Sequence, residues 1–167
     1  MAGDWLVTIE SMEPGDRVFG LDSWLRSQRD SPIYDWVPNG VYYPRIADRI
    51  EQLLATSTVL VARPTSHVSE DGSKDIAGWI CGERDPLAPP APACAIPMVH
   101  WLYTKQPYRA PELHVALTLL RALGWADGMP ICCTSWNEAC EAVAPGTLIF
   151  LPSRLGARRT SVNPKAA

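Results

Sequence analysis

The residues able to act as acids and bases gather around one run of the sequence. His100 stands inside Met98-Val99-His100-Trp101-Leu102-Tyr103-Thr104, Glu83 and Asp85 follow the apolar run before it, and Tyr103 and Tyr108 place phenols close by. An imidazole or carboxylate beside a reacting amine takes the proton the amine must lose before it attacks a carbonyl, and a phenol donates a hydrogen bond. Plainer roles compete with these. A lone histidine in a strand is more often a satisfied, half-buried side chain. Glu83 and Asp85 read as solvated loop carboxylates, and Tyr103 is expected to pack beside Trp101 or on the opposite side of the sheet. Lys105 and Arg109 come next. The planar fork of Arg109 suits a phosphate or carboxylate, although arginine is also an ordinary surface residue.

The cysteines point away from metal chemistry. Cys81, Cys94, Cys132, Cys133 and Cys140 are odd in number, form no C-x-x-C pair, and are joined by no H-x-x-x-H. A zinc site would have to collect four ligands from scattered places. Buried thiols acting as small hydrophobes are the expectation, with no metal and a reducing, cytoplasmic surrounding.

Charge and hydropathy narrow the classes further. The 167 residues carry 15 Lys+Arg against 18 Asp+Glu, a net charge of -3, so a broad phosphate-neutralising surface is disfavoured and nucleic acid is not an expected partner. Hydrophobic residues at 47% and charged residues at 20% fit a packed domain. No apolar run approaches the roughly 20 residues that span a bilayer, so no membrane partner is expected. Met1 to Trp5 lacks a basic segment followed by an apolar one, so no secretory leader is expected either.

The elements that must position these groups follow from periodicity. Trp5–Ile9 reads as a strand, and Pro14-Gly15 as a turn with Asp16 capping a helix over 16–28. Asp30–Gly40, with two prolines and Asn39-Gly40, reads as loop. Ile46, Ile50, Leu53 and Leu54 form one face of a second helix that stops near Thr56. Thr58–Ala62 and Ile76–Cys81 read as hairpin strands joined by the polar stretch 64–74, and 86–97, with its five prolines, as an extended connection. Met98–Thr104 is a strong strand. Leu113, Ala116, Leu117 and Leu120 mark a third helix closed by Gly124. Met129–Thr134 is a strand, Asn137–Val143 a short helix capped by Asn137, and Thr147–Leu151 a last strand. The result is one α+β domain over 1–152, with a mixed, mostly antiparallel sheet and helices on both faces, followed by a basic, flexible tail over 153–167. Trp24, Trp79, Trp101, Trp125 and Trp136 are expected in the core, with Trp5 and Trp36 as exposed anchors.

This order of elements resembles the GNAT superfamily of N-acetyltransferases. The stretch Ile9–Asp16 is similar to that family's opening, and Val61-Ala62 followed by Ile76–Ile80 to its second and third strands. Leu102–Arg109 and the helix start near Pro111 resemble the strand, loop and helix that hold the pyrophosphate of acetyl-CoA, and Ser135–Ala139 its later Asn-bearing helix start. The resemblance implies acetyl-CoA or another acyl-CoA held by Thr104, Lys105, Arg109, Ala110, Glu112, Leu113, His114 and Asn137. It implies chemistry near the splayed central strand, where His100, Glu83 and Tyr103 are the candidates. A diphosphate there is bound by backbone N–H groups at a helix N-terminus.

Three positions depart from the family's pattern. The two places where it has small residues hold Glu112 and His114, and the place of a tyrosine acid holds Ala144. A carboxylate facing a diphosphate costs on the order of 1–4 kcal/mol in a partly desolvated site. Two readings therefore stand. One is an N-acyltransferase acting on a small-molecule or protein amine. The other is a catalytically inactive GNAT-fold structural or assembly protein with protein partners, similar to those that tailed phages encode near their head and tail genes, located in the host cytoplasm or the virion. In that reading 86–97 and the Arg-rich tail are contact arms.

Overall fold

The structure, a computed structural model, describes residues 7–31, 34–65, 75–84, 97–109, 114–126, 128–135, 139–140 and 148–150. In chain order these form β1 (Val7–Ser11), α1 (Arg17–Arg29), α2 (Asn39–Thr56), β2 (Thr58–Pro64), β3 (Gly78–Arg84), β4 (Pro97–Thr104), α3 (Val115–Leu123), β5 (Ile131–Cys133) and β6 (Leu148–Phe150). Single 3-10 turns lie at Pro14–Asp16 and Gln106–Tyr108. Among the described residues the six strands make one sheet in the order β1-β2-β3-β4-β5-β6. The first four are antiparallel neighbours. The crossover through α3 then makes β5 parallel to β4, and β6 runs parallel to β5. This is the α+β architecture with a mixed, mostly antiparallel sheet that the sequence led us to expect.

Each face of the sheet carries its own core. On one side α1 and α2 bring Trp24, Ile50, Leu53 and Leu54 against Val61, Trp79, Cys81 and Trp101. Trp24 stacks on Trp101 with ring centroids 5.5 Å apart and planes 14° from parallel, and meets Trp79 at 5.8 Å. The Trp79 indole N–H donates to the Ser23 hydroxyl at 3.2 Å, so this aromatic buries its polar edge with a partner. On the other side Val115, Leu119, Leu120 and Leu123 of α3 pack on Ala62, Ile80, Val99 and Leu102. Two glycines four residues apart in β3 let α3 approach. A Cβ on Gly78 would lie 2.6 Å from the Tyr103 carbonyl oxygen, and one on Gly82 would lie 2.5 Å from the Met98 carbonyl oxygen and 2.6 Å from Leu123 Cδ2.

Several boundaries differ from the sequence reading for physical reasons. β3 runs on to Arg84, so Glu83 is a strand residue and not part of a loop. Asn39-Gly40 is the first turn of α2 behind Pro38, and Pro44, one turn later, is accommodated inside the helix. Asp16 does not cap α1 with its side chain. Its carboxylate instead accepts the Glu13 N–H at 3.0 Å and pairs with the buried Arg63 of β2 at 2.5 Å, while Arg63 also meets Glu10 at 3.1 Å. The buried stripe of α3 is Val115, Leu119, Leu120 and Leu123, with Ala116 and Leu117 only partly buried. Gly124 ends α3 at φ 105°. The Trp125 N–H reaches the Leu120 carbonyl and the Gly124 N–H the Arg121 carbonyl, the Schellman pattern in which glycine carries the left-handed turn. Of the helix expected over Asn137–Val143, Ala139 and Cys140 are helical and the rest lies outside the described residues. The Pro-rich stretch 86–96 and the tail 153–167 also lie outside them.

Candidate active site

β4 and β5 form a short fork. Their parallel ladder holds two residue pairs, Met98 with Cys132 and Val99 with Cys133. The Thr134 N–H adds one more bond, to the Val99 carbonyl at 3.1 Å. His100 is the first β4 residue beyond the ladder, and Thr134 is the first after β5. His100 is also the extra residue of a bulge. Cys81 lies opposite Trp101 and Gly82 opposite Val99, so β4 has one residue more than β3 between these pairs. A bulge turns a side chain away from simple alternation, and here it brings His100 onto the side of Glu83.

The His100 imidazole is 2% exposed and bounded on both edges. Its Nδ1 lies 3.1 Å from Thr134 Oγ1, and its Nε2 lies 3.4 Å from Glu83 Oε1. The second contact has the length of an ion pair and is not an aligned hydrogen bond, so Nε2 is buried without an aligned acceptor. Burial pushes the His100 pKa below the usual histidine range. Arg49 of α2 pushes the same way, and the neighbouring Glu83 carboxylate opposes both without reversing them. His100 is therefore a neutral base at neutral pH. Arg49 also acts electrostatically on Glu83. Cys81, across the same face, is held as a neutral thiol, its pKa pushed up to about 12 by burial, with Glu83 adding to the shift.

The loop after β4 carries the residues expected to meet phosphate. Lys105 Nζ is bound to Asp75 at 2.7 Å. Asp75 also accepts the Tyr108 hydroxyl at 3.2 Å and the Ile76 N–H at 2.9 Å. Burial works to raise the Asp75 pKa, but the Lys105 ammonium and the two other donors outweigh it and hold the carboxyl below its usual range. Burial first, and then Asp75, push the Tyr108 phenol upward. Arg109 is exposed and its Nε donates to the Thr104 carbonyl at 2.8 Å, tying the guanidinium to the end of β4. The Thr104 hydroxyl is buried with no hydrogen-bond partner among the described residues. His114, just before α3, is exposed and adopts φ 43°, a left-handed conformation that favours glycine.

The structure thus joins His100 and Glu83, and it sets Tyr103 apart from them. Tyr103 lies opposite Trp79, four residues back along β3 from Glu83, roughly 13 Å at strand spacing, and its ring meets Phe19 edge-on at 6.0 Å. It packs on the Trp101 side and is not part of the His100 cluster. His100 is fully buried, not half-buried, and Glu83 is a partly buried strand carboxylate, not a solvated loop residue. Asp85, Ala110, Glu112, Leu113, Asn137 and Ala144 lie outside the described residues. Sequence reasoning missed Thr134, Asp75 and Arg49. Thr134 looked like the last residue of a strand, Asp75 fell between the polar stretch 64–74 and the strand starting at Ile76, and Arg49 looked like the solvated side of an amphipathic helix. The available signal was that all three are polar residues beside apolar runs. Among the described residues no cluster of His, Cys, Asp and Glu is arranged to hold a metal ion, and no helix is long and apolar enough to cross a membrane. Cys81, Cys132, Cys133 and Cys140 are buried and form no disulfide among the described residues.

No protein-family model and no curated protein sequence matches the chain. Among solved structures, AAC(6')-Iy in complex with the bisubstrate analog CoA-S-monomethyl-acetylneamine is similar at 17% identity and a TM-score of 0.39, over 71% of this chain and 69% of that one. Glucosamine-6-phosphate N-acetyltransferase from Arabidopsis thaliana is similar at 12% identity and a TM-score of 0.34, over 97% and 98%.

Proposed function

We propose that the chain is a GNAT-like N-acyltransferase that moves an acyl group from an acyl-CoA to an amine, with the amine's proton ending on His100. The observation that carries this reading is the buried, neutral His100 at the mouth of the β4–β5 fork with Glu83 Oε1 3.4 Å from its Nε2. Protonation of the ring is the step Glu83 favours, and a contact at this distance tightens when the ring becomes charged. Open sheets bind ligands where neighbouring strands part, and the fork is such a place.

The residues present fit a CoA diphosphate in part. Arg109, exposed and anchored through its Nε to Thr104, and the N-terminus of α3 are the groups that would hold it. Lys105 is already neutralised by Asp75. Bound acyl-CoA supplies the activated thioester carbonyl, while the chain's own residues orient the amine and accept its proton. Calorimetric titration with acetyl-CoA tests the donor. Binding is expected, weakened by Arg109→Ala and strengthened by Glu112→Gly. Absence of binding at millimolar acetyl-CoA removes the acetyl-CoA form of the reading.

One observation favours the alternative of an inactive scaffold. Trp36 is 80% exposed, an apolar anchor of the kind interfaces use. That reading, which includes an assembly role in a phage virion, predicts no acetyl-CoA binding and a native mass above that of the monomer.

A further inference from the structure

We propose that Asp75 is an internal competitor for Lys105, forming an autoinhibitory ion pair that a bound diphosphate must break. This deepens the reading above by adding a regulating residue beside the donor's diphosphate, and it rests on that reading only for the identity of the ligand. The backbone brings two cations to one place. The Lys105 N–H donates to the Ala77 carbonyl at 2.9 Å, which continues the β3–β4 pairing one step past Thr104. The Tyr108 N–H then reaches the Lys105 carbonyl at 2.8 Å and closes a tight turn, with Arg109 at its far end. Arg109 Nε folds back onto the Thr104 carbonyl, the oxygen of the peptide bond that leads into Lys105. A guanidinium and an ammonium therefore share the end of β4. Both are open to solvent: Arg109 is exposed and the Lys105 side chain is 40% exposed. A planar fork beside a point charge suits two linked phosphoryl groups.

Asp75 already occupies the ammonium. Its Oδ1 takes Lys105 Nζ at 2.7 Å and the Ile76 N–H at 2.9 Å, and its Oδ2 takes the Tyr108 hydroxyl at 3.2 Å. These are the donors an oxyanion asks of a binding site, and Asp75 draws them from its own chain. The three donors are not equivalent. The Ile76 N–H belongs to the next residue along the backbone, and Tyr108 is a buried residue, so both are fixed. The ammonium sits on a flexible four-carbon stem. When Lys105 turns to another anion, Asp75 keeps two of its three donors, and its 28% exposure lets water replace the third. An ion pair built this way exchanges partners, in contrast to Arg63, whose side chain is 5% exposed between Glu10 and Asp16. Binding an anion then breaks one solvated ion pair, and affinity falls below what Lys105 and Arg109 alone would give.

Inorganic pyrophosphate is the probe, because it carries the charges without the thioester. Calorimetric titrations compare the full wild-type chain with Asp75→Asn, Lys105→Met and the double variant. Asparagine still offers an oxygen to the Ile76 N–H and an amide to the Tyr108 hydroxyl, so the substitution removes charge and keeps shape. Asp75→Asn should bind pyrophosphate about tenfold more tightly than wild type. In the Lys105→Met background the same substitution should gain at most about twofold, the weak field of a carboxylate through water. A gain as large without Lys105 as with it overturns the proposal and leaves acyl transfer standing, and so does equal or weaker binding by Asp75→Asn. A second measurement needs no variant: the Lys105 Cε–Hε NMR resonances of the wild type should move as pyrophosphate saturates. Resonances that stay in place overturn the proposal, as does a lack of pyrophosphate binding by every one of these proteins. Pyrophosphate binding with the expected coupling, but no acylation of any amine by acetyl-CoA, supports the autoinhibitory pair and removes the acyl-transfer reading.

Discussion

Thr134 and His100 stand on opposite prongs of the β4–β5 fork, each the first residue past the shared ladder, and their side chains meet at 3.1 Å across the gap. The meeting needs three features at once: the bulge that re-aims His100, the crossover through α3 that makes β5 parallel to β4, and an early end to β5. It puts a neutral base where two central strands separate, with a carboxylate behind it.

The buried His100 makes stability fall in mild acid. Its folded pKa is depressed, so between that value and the unfolded value of about 6.5 the unfolded chain binds more protons, and stability rises with pH through that window. Urea midpoints should therefore be level above about pH 6.5 and drop as the pH is lowered below it. The part of the drop due to this residue should disappear in His100→Gln. A variant that follows the wild-type curve would show that His100 is not the group responsible.

Arg63 should respond asymmetrically to loss of its partners. Its side chain is 5% exposed and that of Asp16 14%, whereas that of Glu10 is 37% exposed. Asp16→Ala leaves a buried guanidinium short of an acceptor and the Glu13 N–H without its own, and should cost about 2 kcal/mol. Arg63→Met removes the buried charge and leaves carboxylates that water can reach, and should cost about 1 kcal/mol. Equilibrium unfolding of both variants checks the order.

Gly82 is required by the approach of α3 to β3. Gly82→Ala forces a methyl group against the Met98 carbonyl oxygen and Leu123, so something must move. A loss of about 1–3 kcal/mol is expected from thermal unfolding. Because Gly82 flanks the bulge opposite Val99, the His100 ring resonances should shift as well. Unchanged stability would contradict the packing described.

Asp75 competes with any anion for Lys105. The pair is partly solvated, with side-chain exposures of 40% for Lys105 and 28% for Asp75, so Asp75→Asn should cost at most about 1 kcal/mol of stability. The released ammonium should tighten acetyl-CoA binding about tenfold, the effect of roughly 1.4 kcal/mol of added attraction. Calorimetry on the variant reads both the sign and the size.

The order of strands and helices was legible because the apolar runs and the Ile46, Ile50, Leu53, Leu54 stripe record which faces are buried. Gly124 was legible as a helix end because few other residues take its φ of 105°. The site was only half legible. His100 could be picked out by its chemistry, but its partner Glu83 was read as a loop residue because Gly82 and Arg84 interrupt the apolar run. No local pattern marks the bulge that joins them, since it exists only in the register between β3 and β4. Thr134 and Asp75 acquire their roles from contacts 34 and 30 residues away in sequence, which periodicity does not encode.

The most direct test of the account is the pH dependence of acetyl-CoA-driven acylation of an amine by the wild type and by His100→Gln. The account predicts wild-type turnover that rises with pH through a single titration below the ordinary histidine range, and a loss of at least about 100-fold in the variant. Wild-type turnover that is absent, or that the variant reproduces in size and pH profile, would contradict it.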